Sequence, residues 1–216
     1  MGELAGSWIK FVSDAQLERG VAKLSGYKVV YLPLGKYMTP EAAHILEEYV
    51  RGGGVLVCGD ADAFGYDLAG NDTQATRERI LGIKTLGPKR QPAGSLSTIT
   101  LKSAQWGLPA KTALQLFDTK AADETAPFCA HEIALADPKA QILGVYPDGS
   151  PAIIVHKLGK GQVLTFGGNP FAPQVTVDKS SWPQAIKGLQ ESLGCKVDQP
   201  IWRFALPAPP APQANR

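Results

Sequence analysis

Two kinds of hydrophobic pattern alternate through the first half of the chain. Residues 28–32 and 55–58 are almost uninterrupted apolar runs, the pattern of strands buried on both faces of a parallel sheet. Between them, Thr39 suits a helix N-cap and Pro40 suits the first helical position. Apolar residues then recur at helical spacing until the glycines at 52–54. A strand, a helix and a strand within about thirty residues predict a right-handed βαβ unit with parallel strands.

The segments on either side of this unit carry weaker versions of the same signals. Residues 8–12 predict a short strand. Ser13 and Gln16 form a capping box, and the apolar spacing behind them predicts a helix that ends at Gly26. A further short helix is predicted over residues 76–81. The first half is therefore an alternation of strands and helices.

The second half consists of short strand candidates separated by glycine and proline. Turn residues at 147–151 and 159–161 predict that the last three strands form an antiparallel meander. An amphipathic helix is predicted over 182–194. We therefore expect one α/β domain over 1–204 and a Pro/Ala-rich linker or disordered tail over 205–216. The predicted strands of this half are 96–101, 114–117, 142–146, 152–156 and 162–166.

Composition and charge narrow the class of protein. The 216 residues are 44% hydrophobic and 19% charged, and the formal net charge is +2. No apolar run is long enough for a transmembrane helix, and no basic stretch is interleaved with aromatics, so neither a membrane nor a nucleic-acid partner is expected. The three cysteines give no disulfide framework, and no metal or cofactor motif is present. No leader segment is recognisable, and the compartment stays open.

The candidate ligand site lies where parallel strands end. Ligands of open α/β sheets bind beyond the carboxyl ends of the strands, which predicts a crevice that includes Gly35, Asp60, Asp62 and Asn169. Closely spaced carboxylates can hold a divalent cation or divide acid and base roles. The spacing around Asp60 and Asp62 matches neither a calcium loop nor a phosphotransfer motif. The alternative is that both aspartates cap loops.

Nucleophilic chemistry has weaker support. Cys58 closes a predicted strand but lacks the small-residue frame of a nucleophile elbow, so a buried, unreactive thiol is expected. His44 is predicted on the polar face of its helix, and His156 is predicted to face solvent. Cys129 and His131 supply only two donors for a metal, which is too few for a closed site.

Four stretches of the chain resemble a known family. They read GYKVVYLP at 26–33, TPEAA at 39–43, YVRGGGVLV at 49–57 and DGSPAIIVHKLGKGQVLTFG at 148–167. In these motifs the chain resembles the β-galactosidase trimerisation domain, a member of the class I glutamine amidotransferase-like superfamily. The resemblance implies a flavodoxin-like, amidotransferase-like three-layer sandwich, with a parallel sheet and an added antiparallel meander. The family normally has a further strand and helix at its start, which implies that this chain belongs to a longer polypeptide.

The resemblance also carries expectations about function. The superfamily's nucleophilic cysteine would fall at Gly59, and residues 166–170 contain neither the histidine nor the glutamate of its triad. The implied function is therefore non-catalytic assembly or scaffolding in a carbohydrate-active protein. The expected partners are copies of this chain or a glycoside hydrolase catalytic domain of the same polypeptide. Two alternatives remain: a sugar or small-ligand binding module that uses the strand-end crevice, and a hydrolase that uses Asp60 and Asp62.

Overall fold

The computed structural model describes residues 10–88, 98–115, 130–168, 170 and 181–195. Its helices are α1 (Asp14–Glu18), α2 (Pro40–Arg51), α3 (Gln74–Leu81) and α4 (Trp182–Ser192), with a 3-10 turn at Leu24–Gly26. Its strands are β1 (Val29–Leu32), β2 (Val55–Cys58), β3 (Ile83–Pro88), β4 (Thr98–Leu101), β5 (Ala113–Gln115), β6 (His131–Leu135), β7 (Gln141–Val145), β8 (Pro151–Leu158) and β9 (Gly161–Phe166).

The described strands form one large mixed sheet and one small sheet. The large sheet has seven strands in the order β1-β2-β9-β8-β7-β4-β5, and β3 pairs with β6 separately. The strands β1, β2 and β9 run parallel, which confirms the parallel pairing predicted for the first half. The strands β7, β8 and β9 pair antiparallel, which confirms the predicted meander. The sheet is therefore mixed, and its parallel part includes β9, the last of the described strands.

The buried core divides between the two faces of the large sheet. On one face, Leu46 of α2 and Ile80 of α3 belong to the same buried cluster as Leu56. On the other face, Trp182 of α4 belongs to the cluster that contains Val57. Neighbouring strand residues point to opposite faces, so the apolar run of β2 supplies both clusters. The double-sided burial read from the sequence thus places helices on both sides of β2.

Local signals explain where the best predicted helix begins. The Thr39 side chain accepts a hydrogen bond from the Ala42 N–H at 3.1 Å, and Pro40 occupies the first turn. The capping chemistry therefore positions α2 between the two parallel strands that it connects.

No described helix is long and apolar enough to span a membrane.

Two predictions for the N-terminal region are wrong in the described residues. Residues 10–12 form no strand, and residues 8 and 9 lie outside the described part. The capping box of Ser13 is present, but α1 ends at Glu18 instead of Gly26. Gly20 adopts a left-handed φ of 65°, which stops the helix, and Val21 is 73% exposed. The left-handed backbone of Gly20 therefore ends α1, although the apolar spacing in the sequence continues beyond it.

The small sheet was not predicted. Ile83 pairs with Leu135 and Lys84 with Ala134, about fifty residues along the chain. β3 contains Gly87 and Pro88, which normally signal a loop. Each strand is therefore stabilised by a partner that no local pattern reveals. The predicted ends of β4 and β5 at 96–97 and 116–117 lie outside the described residues, as does the predicted tail.

Candidate functional site

The loops after β1 and β2 lie side by side, as parallel strands require. The Asp60 carboxylate accepts hydrogen bonds from the Gly35 N–H at 3.3 Å and from the Asp62 N–H at 2.9 Å. Gly35 is buried, and a side chain there would come within 2.9 Å of Leu32. The structure thus brings Gly35, Asp60 and Asp62 together, while Asn169 lies outside the described residues. Asp60 acts here as a bridge between two loops.

Asp62 forms ion pairs with two cationic side chains. Its two carboxylate oxygens lie 3.1 Å from Arg77 and 3.1 Å from Lys36. The Arg77 side chain is only 7% exposed and also donates to the Ala63 carbonyl at 3.1 Å. The hydrogen bond and charge of Asp62 raise the pKa of Lys36 above its usual value. Arg77, on α3, was missed in the sequence because no local pattern links it to the strand ends.

These contacts define what the aspartate pair can do chemically. Both carboxylates already accept hydrogen bonds from groups of their own chain. Within the described residues, no three His, Cys, Asp or Glu side chains are grouped so that they could hold a metal ion. A carboxylate that works as a general base needs to be free to accept a proton from a substrate. The observed geometry therefore favours a loop-holding role for Asp60 and Asp62 over acid–base chemistry.

Cys58, at the end of β2, is fully buried. Its thiol donates to the Asp60 carbonyl at 3.0 Å, and burial raises the pKa of the thiol to about 12. The nucleophilic form of cysteine is the thiolate, so this group is not activated near neutral pH. The structure places Cys58 as the sequence predicted, as a buried thiol in an apolar strand.

One prediction about the histidines is confirmed and another is wrong. His44 is exposed on α2, as predicted. The prediction that His156 faces solvent is wrong, since it is 6% exposed and contacts the Ile80 carbonyl and Asp137. The partners of His156 come from distant segments, so no local sequence pattern revealed them. His131 belongs to β6, and Cys129 lies outside the described residues.

Two surface features near the strand ends were also missed. A cavity of about 220 Å³ opens between the start of α2 and α3, below the range typical of ligand pockets. The rings of Tyr37 and Tyr66 lie 5.6 Å apart, and the Lys36 ammonium lies 5.5 Å from the Tyr66 ring centre. Residues that line the cavity include Met38, Thr39, His44, Phe64, Thr76 and Arg79.

The two tyrosines sit on paired loops with exposed apolar neighbours. The Met38 N–H donates to the Tyr66 carbonyl at 3.0 Å, which holds the loops together. Tyr37 is 57% exposed, Leu34 is 74% exposed and Leu68 is 69% exposed. We call Leu34, Tyr37, Tyr66 and Leu68 the strand-end patch. Three of its four side chains, Leu34, Tyr37 and Leu68, are therefore exposed apolar surface beside the strand ends.

The fold and the strand-end site are those of a mixed α/β domain. No protein-family model and no curated protein sequence matches the chain. A β-galactosidase from Bacillus circulans sp. alkalophilus is similar in structure, with a TM-score of 0.62 and 21% identity over 82% of this chain. A cold-adapted β-galactosidase from Rahnella sp. R3 has a TM-score of 0.66 and 16% identity over 89% of this chain. A cytoplasmic protein, STM1381, from Salmonella typhimurium LT2 has a TM-score of 0.54 and 13% identity over 89% of this chain.

The lengths of these similar chains differ. The matched region is 24% of the Bacillus enzyme and 26% of the Rahnella enzyme, so the chain spans about a quarter of each β-galactosidase. It covers 79% of the Salmonella protein. The fold therefore occurs both as part of long enzymes and as most of a short chain. At these identities the likeness concerns the fold alone.

Proposed function

We propose that this chain is a non-catalytic assembly or scaffolding domain associated with a carbohydrate-active protein of the glycoside hydrolase type. The observation that carries the proposal is that the polar side chains at the strand ends already bind groups of their own chain. The carboxylates of Asp60 and Asp62 hold neighbouring loops and the cations Arg77 and Lys36. The fold likeness to a quarter of two β-galactosidases supports the association with such enzymes.

The architecture fits this role as a single unit. We propose that residues 1–204 form one domain of the amidotransferase-like, three-layer kind, with 205–216 as a linker. Buried clusters on both faces of the large sheet support the layered arrangement. A domain of this kind contributes to function through its surface, because its core only holds it together.

The strand-end patch is the surface we assign to assembly. Apolar side chains grouped on paired loops gain free energy when a partner covers them, at roughly 25 cal/mol per Å² of apolar surface buried. Leu34, Tyr37 and Leu68 are each more than half exposed. The proposed partner is a second copy of this chain or a catalytic domain of the same polypeptide.

The test is the molar mass in solution by light scattering over a wide range of protein concentrations. We expect a stable multiple of 23.0 kDa, the mass of one chain. The triple variant Leu34→Ser, Tyr37→Ser, Leu68→Ser should lower that mass to one chain. Val21→Ser is the matched control, because Val21 is 73% exposed but lies outside the patch. A monomer at every concentration would remove self-assembly from the proposal.

A second candidate function is binding of a sugar or small ligand at the strand ends, near Gly35, Asp60 and Asn169. The exposed ring of Tyr37 favours it, since ligand sites combine aromatic surface with a few polar groups. A ligand at about 100 times its Kd stabilises a protein by about 2.7 kcal/mol. Thermal-shift measurements with mono- and disaccharides should then show a saturable rise in Tm that Tyr37→Ser abolishes. If no sugar raises the Tm, ligand binding is removed and the assembly role remains.

A further inference from the structure

The cavity between α2 and α3 is a small, largely apolar pocket. Its volume of about 220 Å³ is below that of typical ligand pockets and suits one inserted side chain. Interface anchors of this kind fill such pockets in a protein partner. We call the cavity the α2–α3 pocket, and its lining includes Met38, Pro40, Ala43 and Phe64, with Thr76 and Arg79 on α3.

Phe64 gives the wall of this pocket a fixed shape. It is buried and has a left-handed φ of 57°, which is rare for a bulky side chain. Its N–H donates to the Gly35 carbonyl at 2.8 Å, and its carbonyl accepts from the Thr73 hydroxyl at 2.8 Å. Strained backbone that the surrounding structure holds in place is typical of functional sites. The pocket wall is therefore preorganised.

Leu68 is presented to solvent on a tightly bonded loop of the same segment, and it is 69% exposed. The Asp67 carboxylate accepts hydrogen bonds from the Ala69 N–H at 2.9 Å and from the Asn71 N–H and Nδ2 at 2.8 Å each. The Asp67 carbonyl accepts from the Gly70 N–H at 3.0 Å. A side chain that is already held in position loses less entropy when it binds, which favours Leu68 as an anchor.

Opposite charges lie beside this leucine and beside the pocket. Hydrogen bonds from the Asn71 side chain and from backbone N–H groups hold the pKa of the Asp67 carboxyl below its usual value. At the pocket, the Arg79 side chain is half exposed and shares the Glu47 carboxylate with Arg51. Two guanidinium groups on one carboxylate leave a net positive charge there.

We propose that this surface binds a second copy of the chain through a reciprocal contact, in which Leu68 of each copy inserts into the α2–α3 pocket of the other. The inference rests on the proposed assembly role of the strand-end patch, to which Leu68 belongs, and it names the partner. Insertion of Leu68 brings the Asp67 carboxylate of one copy towards Arg79 of the other, so the charges attract.

A second copy is the partner that this surface fits. A two-fold contact requires one surface to carry both halves of the contact. Phe64 and Thr73 line the pocket, and Leu68 lies between them in the sequence. One ten-residue segment therefore supplies both the inserted side chain and part of the pocket that receives it. Asp67 and Arg79 give the surface charges of both signs, which avoids repulsion between copies.

The test measures the dissociation constant of the dimer by sedimentation equilibrium. Leu68→Ser removes the inserted side chain, and Thr76→Phe fills the pocket. Each should weaken the dimer by about tenfold or more, because a two-fold dimer of either variant loses both contacts. Leu68→Ser alters only an exposed residue and serves if Thr76→Phe does not fold.

Each variant has a matched control. Leu86→Ser removes an exposed leucine on β3, outside the strand-end patch. Ala75→Phe adds the same ring to α3 at an exposed position outside the pocket lining. Both controls should dimerise like the native chain.

Mixing the two variants tests whether the contact is reciprocal. In a mixed dimer, Leu68 of the Thr76→Phe chain still meets the open pocket of the Leu68→Ser chain, so one of the two contacts remains. Native mass spectrometry separates the mixed dimer from the two homodimers by mass. The mixed dimer should exceed the half share that random pairing gives.

The outcomes separate this contact from the assembly role. A native chain that is monomeric at every concentration overturns both the contact and self-assembly. If Leu68→Ser and Thr76→Phe dimerise as tightly as the native chain while the triple patch variant dissociates, the patch assembles and the reciprocal contact is wrong. A mixed dimer at or below the random share, or a native assembly of three chains, also overturns the two-fold contact.

Discussion

At the residue scale, the polar side chains at the strand ends hold the protein's own loops. Asp60 joins the loops after β1 and β2 through the Gly35 and Asp62 N–H groups. Asp62 neutralises Arg77, whose side chain is 7% exposed. A buried arginine that loses its carboxylate leaves an uncompensated charge, and this is costly. The two aspartates therefore have a structural explanation that requires no ligand.

Asp62→Ala should destabilise the fold, because it leaves Arg77 without its carboxylate partner. We expect a loss of about 3 kcal/mol in the free energy of unfolding, measured by urea titration. Lys36→Met is the matched control, since its side chain is 47% exposed and such an ion pair contributes less than about 1 kcal/mol. Equal small effects of both variants would contradict the structural role of Asp62.

Cys58 should resist alkylation in the folded protein. Its thiol is fully buried, and its pKa is raised to about 12, so almost none of it is thiolate between pH 7 and 9. Mass spectrometry after iodoacetamide treatment should show Cys195, which is partly exposed, modified while Cys58 is labelled only after unfolding. Rapid labelling of Cys58 in the native protein would mean that β2 is accessible and would reopen the nucleophile hypothesis.

At the element scale, the hairpin of β8 and β9 packs against the end of α2. The Lys160 N–H donates to the Arg51 carbonyl at 3.0 Å, and the Gln162 N–H donates to the Gly54 carbonyl at 3.3 Å. A Cβ on Gly161 would lie 2.2 Å from the carbonyl oxygens of Gly54 and Val50. The glycines around the turn are therefore required by a close approach of backbones, in addition to the turn itself.

Gly161→Ala should destabilise the protein by about 2 kcal/mol or more, because backbone atoms cannot yield as a flexible side chain can. Gly26→Ala is the control, since a Cβ there meets nothing within 4 Å and its φ is not left-handed. Thermal unfolding monitored by circular dichroism gives both values. Similar Tm values for the two variants would show that the hairpin can move away from α2 at little cost.

At the scale of the whole molecule, α4 joins the edge strand β5 of the large sheet to its interior strand β9. Trp182 is fully buried and donates from Nε1 to the Gln115 carbonyl of β5 at 2.8 Å. Its ring meets Phe166 of β9 edge-on, with centroids 5.7 Å apart. One side chain thus links an edge strand, a helix and the interior strand β9, which pairs with β2.

Trp182→Ala should cost about 4 kcal/mol, because it removes a large buried ring and leaves a cavity. Trp182→Phe keeps an aromatic ring and should cost less, mainly the lost hydrogen bond and part of the volume. Both are measured by urea unfolding followed by far-UV circular dichroism. If both variants unfold like the native chain, α4 is not part of the cooperative core.

The sequence by itself determined the elements whose signals are local. The cap and apolar stripe of α2, the buried run of β2 and the glycine turn of the last hairpin each lie within a few residues, and the structure has all three. Parallel pairing of β1 and β2 also follows from the sequence, because a helix of that length connects them. It also follows that Gly35 and Asp60 are neighbours.

Only the tertiary structure decided what depends on distant partners. The pairing of β3 with β6, the ion pair of Asp62 with Arg77, and the burial of His156 all join segments far apart in the chain. A polar residue gives the same local pattern whether it faces water or a buried partner. Its environment is set by which segments the fold brings together, and that information is not contained in any short stretch of sequence.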